Sequence, residues 1–311
     1  MMTRMRPMLA TSTEHVPVGD GWLHEVKWDG VRVLVDVTDG VTRMFSRNGN
    51  VVTAAWPDLS AAPLGDRDLL VDGEVIALND RGVPDFRVLQ HRMHVRKPAD
   101  AARLVETIPA TLMTFDLLRL DGDDLTARPL AERRDLLAGL GLADSKWQVP
   151  ASYDDGAMLW DATLQQGLEG VVSKRLTSRY RFDTRSKDWL KRAHRHRGSF
   201  LVGGWRPQVD TTDRLAAVLV GEPTADGLMY RGRVGSGLTG ATSRLLQEML
   251  SPLHAATSPF ADEVPRVDAQ GTTWVEPVVV VDIDTHGLGY DRLRQPSFQG
   301  VRSDLTPEDL A

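Results

Sequence analysis

Cysteine is absent from the chain. That excludes disulfides, zinc–thiolate centres and thiol nucleophiles, and it leaves any metal to oxygen or histidine ligands. No apolar run approaches the ~20 residues of a membrane-spanning helix, and the opening Met1-Met2-Thr3-Arg4-Met5-Arg6-Pro7 lacks the apolar core of a secretory signal. A cytoplasmic protein is the expectation. Positive charge is also in deficit, with a net charge of -6, which looks wrong for a nucleic-acid-binding protein. The distribution matters more than the sum. Between residues 174 and 197, ten Lys/Arg stand against Asp183 and Asp188, a local +8 that leaves -14 for the remainder. Tyr180, Phe182 and Trp189 are interleaved with these cations. A solvated face is the plain reading of such a run, and the aromatics tilt it towards phosphate binding.

What is present is an ordinary globular composition, 41% hydrophobic and 26% charged over 311 residues, enough for one large domain or two ordinary ones. Residues 22–37 read as one strand, with Val31, Val33, Val35 and Val37 alternating along it. Asp39-Gly40 makes a hairpin turn into a return strand over 41–46, which ends in Ser46-Arg47-Asn48-Gly49 and brings Arg47 back towards Lys27. Residues 68–78 form another strand whose period of two sets Asp72 and Glu74 on one face. Residues 86–93 look helical, and His91 and His94 at their end lack a third metal ligand nearby. Residues 110–120 form a strand containing Phe115, which plain core packing would explain. An amphipathic helix covers 129–140, and Asp154 or Asp155 caps a second one running to 167. Glu169 and Lys174 then bound a short strand. Strict alternation separates their faces, so both serve one site only if Glu169 comes from the turn at Gly170.

After Arg197 the character changes. Gly198, Gly203, Gly204 and Pro207 mark a hinge, giving domains of 1–197 and 198–311. Short strands over 199–205, 215–220 and 228–234, a helix over 239–250 and a long strand over 274–283 are the inventory of a five-stranded OB barrel with one helix. Gly235-Ser236-Gly237-Leu238-Thr239-Gly240 matches G-x-G-x-x-G, but too little chain follows for a doubly wound dinucleotide fold. The fold class expected is α+β: antiparallel sheets with flanking helices, then the barrel.

A lysine can attack phosphorus if it is held neutral and the developing charge is met by cations. The pattern Lys27-x-Asp29-Gly30 arises easily by chance when taken alone. In order, however, Lys27-Trp28-Asp29-Gly30-Val31-Arg32, Ser46-Arg47-Asn48-Gly49, Asp72-Gly73-Glu74, Phe115-Asp116, Glu169-Gly170-Val171-Val172-Ser173-Lys174 and Trp189-Leu190-Lys191 resemble the motifs of the ATP-dependent DNA ligases. These belong to the covalent nucleotidyltransferases, with RNA ligases and capping enzymes.

The resemblance implies a nucleotidyltransferase (adenylation) domain followed by the OB domain, and a three-step reaction. Lys27 takes AMP from ATP, the AMP passes to a 5′-phosphate at a DNA nick, and the 3′-hydroxyl displaces it. It implies Lys27, Asp29, Lys174 and Lys191 as the catalytic set. Glu25 would contact the adenine amine, Phe115 would stack on the base, and Arg32 and Arg47 would grip the ribose or the nick phosphate. Glu74 would hold the ribose or a metal and Glu169 would help coordinate Mg²⁺, with Mn²⁺ as an alternative. Nicked double-stranded DNA would be the partner of a monomeric, nucleoid-associated bacterial repair enzyme, delivered by a repair polymerase, a primase or an end-binding protein. Few residues precede Trp22, so no extra N-terminal DNA-binding domain is expected.

Two departures stand out. The second lysine of the family's Lys-x-Lys is Ala193, which leaves Arg192 as a substitute. The final lysine of Arg-x-Asp-Lys is Leu305, which leaves the pyrophosphate to Arg294 or Arg302. The rival readings are an RNA ligase or a capping guanylyltransferase using the same lysine, and a non-catalytic OB-type nucleic-acid-binding protein.

Overall fold

The strand expected over 22–37 is broken in two, and the break carries the candidate nucleophile. The computed structural model describes residues 5–61, 63–65, 67–142, 146–208, 214–286 and 291–310. Its contacts divide the chain into units 1–193 and 194–311. The basic tail expected to close the first domain therefore falls partly in the second unit.

The first unit enters through β1 (Leu9–Ser12) and β2 (Trp22–Val26). After the turn at 27–30 it resumes as β3 (Val31–Thr38) and returns as β4 (Val41–Ser46). Asp39 and Gly40 take the left-handed backbone, at φ 51° and 71°, that a two-residue hairpin needs. There follow β5 (Leu69–Ile76), α1 (Phe86–Met93), α2 (Pro98–Thr107), β6 (Thr111–Leu120), β7 (Asp123–Asp124) and α3 (Leu130–Ala138). Then come β8 (Trp147–Gln148), α4 (Gly156–Gln165), β9 (Gly170–Arg175) and β10 (Arg185–Ala193). Of the two aspartates proposed as a cap for α4, Asp155 does it, accepting from the backbone of Ala157 and Met158.

Two sheets result, ordered β4-β3-β5-β6-β7 with β8 beside β6, and β1-β10-β9-β2. Val33, Val35 and Val37 face one core with Trp56, Leu89 and Trp147. Leu34, on the opposite face of β3, packs with Phe115, Tyr180 and Trp189 in a second core. A sheet buried on both faces needs apolar residues at both phases, which is why the alternation along β3 is imperfect. The change of sheet at 27–30 requires Gly30, since a Cβ there would collide with the Val75 carbonyl of β5.

The second unit contains β11 (His196–Pro207), β12 (Leu215–Thr224), β13 (Gly227–Val234), α5 (Gly240–Leu250), the single turn α6 (Arg266–Ala269), β14 (Thr273–Trp274), β15 (Val280–Thr285) and β16 (Ser297–Val301). Pro277 interrupts the long strand expected over 274–283, leaving β14 and β15 as separate pieces. The sheet runs β13-β12-β11-β15-β16, with β14 beside β11. A parallel bridge between Ser236 and Ser297 joins its two ends, and Phe298 N–H donates to the Ser236 carbonyl at 2.8 Å. This is the closed OB barrel. The G-x-G-x-x-G stretch is its closing turn, because a Cβ at Gly237 would strike the Phe298 carbonyl. Among the described residues no helix is long and apolar enough to cross a membrane.

Candidate active site

In the first unit, a cavity of about 160 Å³ is lined by Glu25, Lys27, Arg32, Arg47, Glu74, Phe115, Lys174 and Lys191 among others. Residues spread over more than 160 positions meet because β2 and β9 lie side by side in one sheet, while β3, β5 and β6 form the other. Lys27 stands where β2 ends. Its backbone N–H donates to the Gly170 carbonyl at 2.8 Å, and its Nζ lies 2.5 Å from Glu169 Oε1. Glu169 thus comes from the turn before β9, as its pairing with the opposite phase of Lys174 requires. Gly170 is at φ 142°, and a Cβ there would meet the Arg192 carbonyl.

Arg32 and Glu74 are directly opposed in the β3/β5 register, and Asp72 shares their face. Asp72 is fully buried and receives Arg32 through Nε at 2.5 Å and Nη2 at 2.7 Å. The Tyr180 hydroxyl donates to the same carboxylate at 2.6 Å and accepts from Met8 N–H at 2.9 Å. Burial works against the Arg32 charge, but Asp72 more than offsets it and holds the guanidinium protonated beyond its ordinary range. Among the described residues, Glu74 has no such bidentate partner. Burial pushes its carboxyl up to about 8, against the pull of Arg32 and Lys27 and with the repulsion of Glu169 and Asp72 added.

Phe115 is 6% exposed. The Arg32 guanidinium lies 4.5 Å from its ring centre and the Lys174 ammonium 4.2 Å. Lys174 is held by Glu25 at 2.6 Å and lies 4.4 Å from the Trp189 ring. Burial lowers its pKa against the opposing effect of Glu25. Lys174 thus borders the cavity while Glu25 and the two aromatic rings engage its ammonium. Glu25 in turn approaches Arg134 at 3.4 Å, and its buried Oε1 accepts no hydrogen bond among the described residues. That atom is suited to an incoming amine. Lys191 also lines the cavity. Burial lowers its pKa first, and the neighbouring cations Lys27, Arg47 and Arg185 lower it further, so the group of cations favours an anionic ligand.

Of the expected site residues, Asp29 and Arg192 are not among those lining the cavity, and Arg294 and Arg302 belong to the second unit. Asp29 accepts from the backbone N–H of Phe86 at 3.2 Å, which ties the nucleophile turn to the start of α1. Arg192 is on the opposite face of β10 from Lys191, and its guanidinium stacks 3.7 Å from the Trp160 ring of α4. Alternation sets Ala193, not Arg192, on the Lys191 side. Arg302 belongs to the second unit, where it pairs with Asp304 at 2.7 Å and Asp282 at 3.4 Å. Leu305 packs against the barrel cluster of Leu201, Tyr230 and Phe260, which accounts for an apolar residue at that position. Arg294 lies in the same unit and pairs its backbone with Thr285 and His286.

Sequence reasoning missed Arg134, Tyr180 and Arg185 as parts of the site. Arg185 lines the cavity, and its place in the basic run was the signal available. Arg134 sits on α3, where helical periodicity marks an arginine as solvent-facing although it is 8% exposed.

The residues also fit the divalent cation that the motifs imply. Glu74 and Glu169 repel each other near Lys27, a tension that a hard cation with oxygen ligands would relieve. Among the described residues no three metal-ligating side chains converge, so such an ion would complete its shell with water and phosphate oxygens.

The model for the ATP dependent DNA ligase domain matches residues 7–192, and the model for the ATP dependent DNA ligase C terminal region matches 211–305. The chain belongs to the ATP-dependent DNA ligases. Among its ligase relatives, the multifunctional non-homologous end joining DNA repair protein LigD of Mycobacterium tuberculosis H37Rv is 36% identical over 98% of this chain. LigD of Pseudomonas aeruginosa is 33% identical over 98% of it. The chain spans 39% and 36% of the lengths of those two proteins. The crystal structure of the ligase domain from M. tuberculosis LigD, 35% identical, aligns with a TM-score of 0.57 over 99% of this chain and 98% of that one. A mycobacterial DNA ligase D complexed with ATP and MES aligns at 0.58 with the same identity and coverage. The ligase family therefore accounts for the adenylation unit, the OB unit and the use of ATP, and it disfavours the RNA-ligase and capping alternatives.

Proposed function

We propose that the chain seals 5′-phosphate/3′-hydroxyl nicks in duplex DNA through an AMP carried on Lys27. The observation that carries this reading is the Lys27–Glu169 pair beside the cavity that Glu25, Glu74, Phe115 and Lys191 line. Lys27 Nζ attacks the α-phosphorus of ATP, an N–P bond forms and pyrophosphate leaves. The proton that Nζ sheds has an acceptor 2.5 Å away at Glu169 Oε1. Arg32, fixed by Asp72 and Tyr180, orients the nucleotide, and Phe115 bounds the base. Glu25 Oε1 is the acceptor for the adenine amine. Lys191 and Arg47 meet the charge that develops on phosphate oxygens, so positioning and charge neutralisation supply most of the catalysis. Mg²⁺, held by Glu74 and Glu169, would add charge neutralisation at the phosphates when bound. The 5′-phosphate of the nick then takes AMP from Lys27, and the 3′-hydroxyl displaces AMP to close the strand.

Substrate location ties such an enzyme, acting as a monomer, to the nucleoid. The end-joining names of the relatives favour a repair polymerase, a primase or an end-binding protein as its delivery partner. The test is a comparison of ATP with GTP and of nicked DNA with nicked RNA. Sealing of DNA with ATP alone is the expected outcome, and sealing of RNA with GTP would overturn the proposal.

A further inference from the structure

Between β9 and β10 the chain exposes a phenylalanine among cations. Phe182 is 39% exposed, with exposed Arg179, Arg181, Arg185 and Lys187 flanking it in sequence and Asp183 and Asp188 as the opposing charges. The tip is fixed rather than loose. Phe182 meets Tyr180 edge-on, with ring centres 5.1 Å apart and planes at 70°. Asp183 turns the chain at φ 52°, donates its N–H to the Arg6 carbonyl at 3.0 Å and pairs with the Arg6 guanidinium at 3.6 Å. The Thr184 carbonyl accepts from Leu9 N–H at 2.8 Å. An exposed aromatic ring held rigidly in a basic segment is the chemistry of a base-stacking contact. Arginines meet the phosphates, and the ring takes the face of a nucleobase without reading its sequence.

Position narrows the target. Arg185 lines the cavity, and Phe182, three residues away, is within about 11 Å of it along the chain. On the other side, Tyr180 carries the hydroxyl that holds Asp72 and, through it, Arg32. We propose that Phe182 packs on the terminal base of the strand that presents the 5′-phosphate at a nick, so that the phosphate arrives at the cavity in register with Lys27. This rests on the DNA-ligase reading above and adds a base contact to it.

The test uses the full chain and a nicked duplex with 2-aminopurine at the 5′-phosphorylated nucleotide, and a second duplex with the reporter on the 3′-hydroxyl side. Wild-type protein is expected to change the emission of the first reporter more than that of the second. Phe182→Ala should weaken nick binding and slow sealing of a pre-adenylated nick by roughly 5- to 150-fold, the range set by stacking one base on an aromatic ring. Phe182→Tyr should restore both, and AMP transfer to Lys27 without DNA should be unchanged in either variant. If Phe182→Ala disturbs Tyr180 and slows that transfer, the two-reporter comparison in the wild type still decides. Equal responses from both reporters, or a Phe182→Ala protein that binds and seals like the wild type, would overturn the proposal. Failure of wild-type protein to form the AMP adduct would overturn the ligase reading, while the binding and reporter results would remain to judge Phe182.

Discussion

Replacing Glu74 with Gln should make the free protein more stable at pH 8 than the wild type, although it removes a charged group from an ion cluster. The carboxyl is held up at about 8 by burial and by Glu169 and Asp72, above an ordinary value of 4.5. A raised carboxyl pKa stabilises the fold below the unfolded value. That stability is then lost as pH rises, because the unfolded chain ionises freely while the folded chain resists. The displacement from 4.5 to about 8 corresponds to roughly 5 kcal/mol at 1.36 kcal/mol per unit. Glu74 is only partly buried by surface area, so solvent screening reduces this to about 2–3 kcal/mol. Glutamine keeps the shape and does not titrate. Urea unfolding of both proteins without nucleotide or divalent ion, at half-unit steps from pH 5 to 8.5, should show Glu74→Gln gaining on the wild type up to about pH 8 and then levelling. Parallel stability curves would refute the reasoning and with it the picture of two mutually repelling carboxylates beside Lys27.

Ala193→Lys restores a cation on the Lys191 side of β10. It should lower the KM for ATP and quicken AMP transfer to Lys27 by about tenfold, the worth of one charge-assisted contact to phosphate; single-turnover labelling measures it, and an unchanged rate would show that Ala193 does not face the phosphates. Tyr180→Phe removes the donor to Asp72 and leaves Met8 N–H unpaired. It should cost about 1–3 kcal/mol of stability and raise the KM for ATP through a looser Arg32. A melting curve and a KM both equal to those of the wild type would contradict this.

Much of the site was legible because the chemistry sits in short contiguous stretches whose order along the chain is itself informative. Lys27, Arg32, Glu74, Phe115 and Lys191 all border one cavity. The change of sheet at 27–30 was not legible, since Lys27-Trp28-Asp29 continues a plausible strand and only the close approach of Gly30 to Val75 shows the break. Nor was the fate of Arg192, whose proximity in sequence to Lys191 suggested a shared role that strand alternation denies. Buried arginines were the least legible of all. Arg133 pairs with Asp116 at 2.7 Å, with both side chains fully buried, yet on α3 it reads as part of a solvated face. In the second unit the hinge glycines and short strands announced the barrel, and Pro277 accounts for the one strand read as too long.

The central claim is that Lys27 carries AMP. Incubation with α-labelled ATP and Mg²⁺, followed by denaturing electrophoresis, should give a labelled band with the wild-type chain, and nicked DNA should discharge it. With Lys27→Ala the band should vanish while folding, followed by circular dichroism, stays intact. A labelled band that persists in the folded Lys27→Ala protein would contradict the account.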